Sequence, residues 1–93
     1  MKTETVQLIG NHSGDSYYYN NNGYQSEIQA RTIYELEQKM IDFLESLTGL
    51  EPGQKYAEVR ACFYGQNLIV SSMIQPDGSW NLDEVELREI VED

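Results

Sequence analysis

Ninety-three residues, sixteen acids against six bases for a net charge of −10, and one cysteine leave room for one domain with one modest core. That charge disfavours direct contact with nucleic acid or anionic membrane and favours a basic protein partner. Cys62 stands alone, so an intramolecular disulfide and a multi-cysteine metal site are excluded. With only Arg60 as a cationic neighbour in sequence, its thiol is expected to be buried and inert. No apolar run approaches the roughly 18 residues of a membrane span, and Met1-Lys2-Thr3-Glu4 lacks the regions of a signal peptide, so a cytoplasmic protein is expected.

In chain order, residues 3–9 alternate, with Val6 and Leu8 on one side, and read as a strand that residues 10–14 should break. Tyr17, Tyr18 and Tyr19 favour a second strand. Asn20-Asn21-Asn22-Gly23 supplies residues that tolerate positive φ, so residues 24–29 should return antiparallel as a hairpin.

Residues 32–47 predict a helix, because Ile33, Leu36, Met40, Phe43, Leu44 and Leu47 recur every three or four positions. Thr32 and Glu35 form a capping-box pattern, in which the hydroxyl takes a backbone N–H and the carboxylate reaches back to the cap. Gly49 suits the left-handed position that ends the helix, Leu50 can fold back on it, and Pro52 prevents continuation.

Residues 56–64 alternate again, placing Ala57, Val59, Ala61 and Phe63 against a core and Tyr56, Glu58, Arg60, Cys62 and Tyr64 on a wet or half-wet face. Gly65-Gln66-Asn67 should turn the chain into a strand over residues 68–74, and Pro76-Asp77-Gly78-Ser79 should form a second turn. A short strand over 80–82 follows. Asp83 with Glu86 repeats the capping pattern, so residues 84–91 are expected to be a short helix, although Val85 and Leu87 also fit a strand. The fold class is α+β: an antiparallel sheet of about five strands with one long helix packed on one face and a short acidic C-terminal helix, in a single domain.

The motifs that suggest chemistry are weak ones. His12, Ser13 and Asp15 share one loop between glycines, whereas a working triad sits on rigid elements beside an oxyanion hole; an ordinary polar turn fits better. Asn11-His12-Ser13 matches a glycosylation sequon without a secretory signal. Asp83, Glu84 and Glu86 lack the alternating ligands and central glycine of a calcium loop. No catalytic residue, metal or cofactor is expected, and the chain is not read as an enzyme. The tyrosines Tyr17, Tyr18, Tyr19 and Tyr24 point instead to aromatic packing or a secondary protein interface, since stacking single-stranded nucleic acid would also need a positive groove.

Charge is unevenly spread: residues 1–31 carry −1, 32–53 carry −4, 54–79 balance, and 80–93 carry −5. Glu35, Asp42 and Glu45 should point away from the helical apolar stripe, with Glu37 at its flank. At roughly 1.5 Å rise per residue these four carboxylates would span about 15 Å. One DNA strand presents about four phosphates over that length, at about 3.4 Å each. The bland alternative is a solvated face that keeps a small protein soluble.

In size, in this capped helix with its outward Glu35, Glu37, Asp42 and Glu45, and in the acidic end with Asp83, Glu84, Glu86, Glu89, Glu92 and Asp93, the chain resembles phage-type inhibitors of host defence. That class includes anti-restriction DNA mimics and some anti-CRISPR proteins. The resemblance implies an inhibitor that binds a basic nuclease or nucleic-acid-binding effector through those ten acids, by occupying its nucleic-acid groove. The neutral middle of the chain departs from the most uniformly acidic mimics. The alternative is an immunity-type or antitoxin-like protein that binds through its tyrosine-rich sheet, and an exposed edge strand could support a homodimer.

Overall fold

A computed structural model describes residues 3–13, 24–49 and 53–90. Alternation builds its sheet. The strands are β1 (Glu4–Ser13), β2 (Tyr24–Ala30), β3 (Tyr56–Phe63), β4 (Gln66–Met73) and β5 (Arg88–Glu89), with the helix α1 (Ile33–Leu47) between β2 and β3. They form one five-stranded sheet in the order β2-β1-β3-β4-β5, antiparallel throughout. The fold is α+β, with Val6, Leu8, Ala57, Val59, Ala61, Phe63, Leu68 and Val70 turned towards the helix and buried.

Helix α1 starts where the sequence places it. Thr32 is the N-cap, and its hydroxyl accepts the Glu35 N–H at 3.1 Å. The reciprocal half of the capping box is not made: the Glu35 carboxylate lies 3.8 Å from Arg31 and 4.0 Å from Lys39 instead. Leu36, Met40, Leu44 and Leu47 are the buried stripe, with Phe43 and Ile41 partly buried beside it. Ile33 belongs to the expected stripe but is 45% exposed, because in the first turn it lies beyond the reach of the sheet. At the far end Gly49 takes φ +82, and the buried Gln54 side chain donates to the Leu47 carbonyl at 2.9 Å, satisfying an orphan acceptor of the last turn. Leu50 and Pro52 lie outside the described residues.

Several boundaries differ from the expected ones. β1 does not break at Gly10 but runs to Ser13, pairing with β3 over Leu8 to Ser13. Gly10 holds this strand because Leu47 and Phe43 rest on it; a Cβ there would overlap the Leu47 side chain and lie 3.1 Å from Phe43 Cε2. Gly10→Ala is therefore expected to lower stability by about 1–3 kcal/mol through overpacking, read as a lower midpoint in urea. β2 pairs with β1, from Glu4↔Ala30 to Gly10↔Tyr24, and the expected strand at Tyr17, Tyr18 and Tyr19 lies outside the described residues. The β3–β4 turn is Tyr64-Gly65, not Gly65-Gln66-Asn67: both residues have positive φ, 50 and 81, between the paired Phe63 and Gln66. That is the backbone of a two-residue hairpin whose twist matches its strands.

The strand expected over residues 80–82 reduces to one bridge, Ile74↔Trp80. The expected short C-terminal helix is absent among the described residues; Asp83 and Glu84 form a turn, and the chain then extends into β5. Val85 and Leu87 are in neither a helix nor a strand: they lie in the irregular stretch before β5 and, with Leu82, pack as partly buried side chains on the core.

The turn at Pro76-Asp77-Gly78-Ser79 forms, with Gln75 donating its N–H to the Ser79 carbonyl and Gly78 at φ +90. Asp77 Oδ1 accepts from the Ser79 hydroxyl at 2.6 Å and the Ser79 N–H at 2.9 Å. These two bonds hold the Asp77 carboxyl below its ordinary value, the hydroxyl contributing most. A depressed carboxyl pKa means the turn is favoured above the ordinary value, about 3.9, and that this support is lost as pH falls through the lower folded value. The protection factor of the Ser79 amide, its exchange rate taken against the intrinsic rate at each pH, is expected to fall only in that acid range; an unchanged protection factor there would refute the assignment.

Candidate functional site

The acids singled out in the sequence fall on two flanks of α1 and do not form one row. On the flank facing β2, Asp42 is exposed and lines an open groove with Lys39, Ser46, Phe43, Ser26 and Ile28. Glu35 is half-buried between Arg31 and Lys39 on the same flank. Lys39, the one cation in the helix, turns its ammonium onto the Gln29 carbonyl. Glu45 is exposed; neither it nor Asp42 has a side-chain partner among the described residues. On the other flank Glu37 accepts the Leu87 N–H at 3.3 Å and ties the C-terminal segment to the helix. Its role there is to hold the fold together.

Asp83, Glu84, Glu86 and Glu89 are exposed along the segment that runs beside β4. Glu84 accepts from the Asn81 amide at 2.9 Å, and Glu84, Glu86 and Arg88 line a cleft of about 300 Å³ with Ser71 and Gln75. The structure thus brings Glu37 beside the C-terminal acids and leaves Glu35 and Asp42 on the far side. Glu92 and Asp93 lie outside the described residues, as do Tyr17, Tyr18 and Tyr19. Tyr24 is 36% exposed and stacks on His12, ring centroids 5.6 Å apart. His12 is no loop residue: it is buried in β1, with Nε2 3.4 Å from the Tyr24 hydroxyl. The loop reading of a His12, Ser13 and Asp15 cluster fails for that reason.

Sequence reasoning missed the arrangement on the face of the sheet away from α1. Glu58 sits there with no exposed surface, on a strand face expected to be wet. Its Oε2 accepts from Arg60 Nε at 2.7 Å, while Oε1 is buried without a hydrogen-bond donor. In register, Glu58 faces Asn11 on one side and Ser71 on the other, and Ser71 in turn accepts from Arg88 at 3.0 Å. Two arginines are thus fixed in one row across Ile69, since Arg60 and Arg88 both pair with it. Beside them Ile9, Cys62, Asn67 and Ile90 line a shallow depression of about 310 Å³. Cys62 is exposed, not buried, because it shares this open face. The period-2 pattern places these residues on one face; what it cannot give is the burial of Glu58, which depends on neighbours from other strands.

Among the described residues no three His, Cys, Asp or Glu side chains gather as a metal site, and no helix is long and apolar enough to cross a membrane. Compared with models of known protein families, with curated proteins and with solved structures, the chain matches none of them.

Proposed function

We propose that the protein is a non-enzymatic inhibitor, acting in the cytoplasm, that binds a basic nucleic-acid-binding enzyme through the acidic surface of α1 and the C-terminal segment. It would compete with nucleic acid for that enzyme, in the manner of the anti-restriction and anti-CRISPR inhibitors that its layout resembles. The observation that carries this reading is the treatment of charge on α1. Lys39 is drawn down to the Gln29 carbonyl, while Asp42 and Glu45 stand exposed without a partner among the described residues. Their field is left unneutralised on the outer surface, where it can steer a basic partner. Because the carboxylates occupy two flanks, the contact is a patch wrapped over the helix and not a single line of phosphate mimics.

The test is binding to a captured nuclease or effector across ionic strength, with a nucleic-acid competitor. The association rate is expected to fall on the order of 10- to 1,000-fold from low to high salt. Asp42→Asn with Glu45→Gln should flatten that dependence. Salt-independent binding, or a complex that nucleic acid does not displace, would sink the reading. A second reading, an immunity-type protein that neutralises a toxin through tyrosines, is favoured by Tyr34 and Tyr64, which are 71% and 62% exposed. Tyr64 holds φ 50, a position where a bulky side chain is strained and where glycine or asparagine would be easier. Under that reading Tyr64→Ala weakens the complex more than neutralising Asp42 and Glu45 together.

A further inference from the structure

The hydrogen-bond phase of the sheet shows which backbone groups are left over. Ile74 donates to the Lys55 carbonyl and Ile90 to the Asn67 carbonyl, so odd-numbered residues of β3 bond to β4 and even-numbered ones to β1. Carried through the registers, the even-numbered residues of β1 bond to β2, which turns the N–H and C=O groups of Gln25, Glu27 and Gln29 to the outer edge. No described strand pairs there, whereas the opposite side of the sheet ends in the two-residue β5 and the Trp80 bridge, too short to offer such a row.

We propose that this β2 edge is the interface of a two-fold homodimer, in which β2 pairs antiparallel with β2 of a second copy to continue the sheet. Three features commit the occupant to a second copy. Among the described residues the edge offers a row of backbone donors and acceptors with no strand partner, of which the Gln29 carbonyl alone is shared with Lys39, and an identical strand complements that row. Above it, an open groove of about 460 Å³ is lined by one cation and one anion, Lys39 and Asp42, with the half-buried Ile28 and Phe43, while Glu35 farther along the flank lies between Arg31 and Lys39. A two-fold axis sets Lys39 of each copy towards Asp42 of the other, so the patch is complementary to itself and balanced in charge within a chain of −10. The like-charge rule then picks the register. Centring the axis on Glu27 would put two carboxylates opposite each other, whereas centring it on Ile28 sets Glu27 against Gln29 and brings the two isoleucines together. The Gln29 carbonyl, with two lone pairs, can take a partner N–H while it keeps Lys39. This dimer does not depend on the basic-partner reading and stands if that reading fails. If both hold, Asp42 is taken up in the dimer, and Glu45 with the C-terminal acids is left to face the basic partner.

The experiment is solution mass by sedimentation equilibrium on the full chain, up to millimolar concentration. A mass of two chains is expected. Glu27→Pro removes an outward N–H and the exposed Gln7–Glu27 side-chain hydrogen bond, and should give a single-chain mass with an unchanged circular dichroism spectrum. Lys39→Glu sets acid against acid and should weaken the dimer by more than about tenfold, and Lys39→Glu with Asp42→Lys should restore it. In a Cys62→Ser background, Ile28→Cys should cross-link on mild oxidation, since a non-hydrogen-bonded pair brings Cα atoms to about 4.5 Å. A single-chain mass at every concentration overturns the proposal. So does a dimer that survives both Glu27→Pro and Lys39→Glu, or one whose Ile28→Cys variant does not cross-link.

Discussion

Leu44→Ala is expected to destabilise the protein by about 2–5 kcal/mol, the range for emptying a fully enclosed leucine site. Leu44 has no exposed surface and sits in the stripe with Leu36, Met40 and Leu47, against the sheet side chains Val6, Leu8 and Val59. Among the described residues one helix covers this face, so no second described layer can collapse into the cavity. Total stabilities are typically about 5–15 kcal/mol, and each kcal/mol moves the midpoint of a domain this size by about 4–8 °C. The melt followed by circular dichroism should therefore shift by about 8 °C or more, the lower bound those figures give. Ile33→Ala is the control. Ile33 has the same helical phase in the sequence but is 45% exposed, and its loss should stay within about 0.5 kcal/mol. Equal effects at the two positions would mean that the sheet reaches further along the helix than the burial indicates.

That pair also shows how far the sequence could be read. The phase of α1, its Thr32 cap and the alternation of β1 and β3 are local properties, carried by residues within one element, and each appears where the pattern predicts it. What fails is set by contacts between elements. Gly10 reads as a strand breaker because glycine is flexible, but Leu47 and Phe43 pressing on it make the missing side chain a requirement. Residues 84–91 read as a helix from one capping pair, and the open edge of β4 with the Glu37 carboxylate draws residues 85–90 into an extended path. Of the candidate acids, Asp42, Glu45, Asp83, Glu84, Glu86 and Glu89 are exposed as expected, whereas Glu35 and Glu37 are half-buried. Their division into two flanks was not legible, because Glu37 has its partner fifty residues away.

Arg60→Ala should prove as damaging as a core deletion, about 3 kcal/mol, although Arg60 looks like a surface residue. Breaking a buried ion pair from one side costs about 3–5 kcal/mol, and the 47% exposure of the Arg60 side chain places this case at the low end. The reason lies in Glu58. Its side chain is fully enclosed, Oε1 has no donor, and Arg60 Nε at 2.7 Å supports Oε2. Removing the guanidinium leaves a carboxylate that neither water nor the protein solvates. Replacing both residues, as Glu58→Met with Arg60→Met, removes charge and counter-charge together and is expected to leave stability unchanged or to raise it by about 1–4 kcal/mol. Urea unfolding of the two single variants and the double variant forms the cycle that measures the coupling. A double variant as unstable as Arg60→Ala would show that packing around the guanidinium, and not the unpaired carboxylate, sets the loss. A stable double variant would mean that the charge pair on the sheet face away from α1 is kept for something other than stability, and the exposed edge of that pair, Arg60 beside Ile9 and Cys62, is where a contact should then be sought.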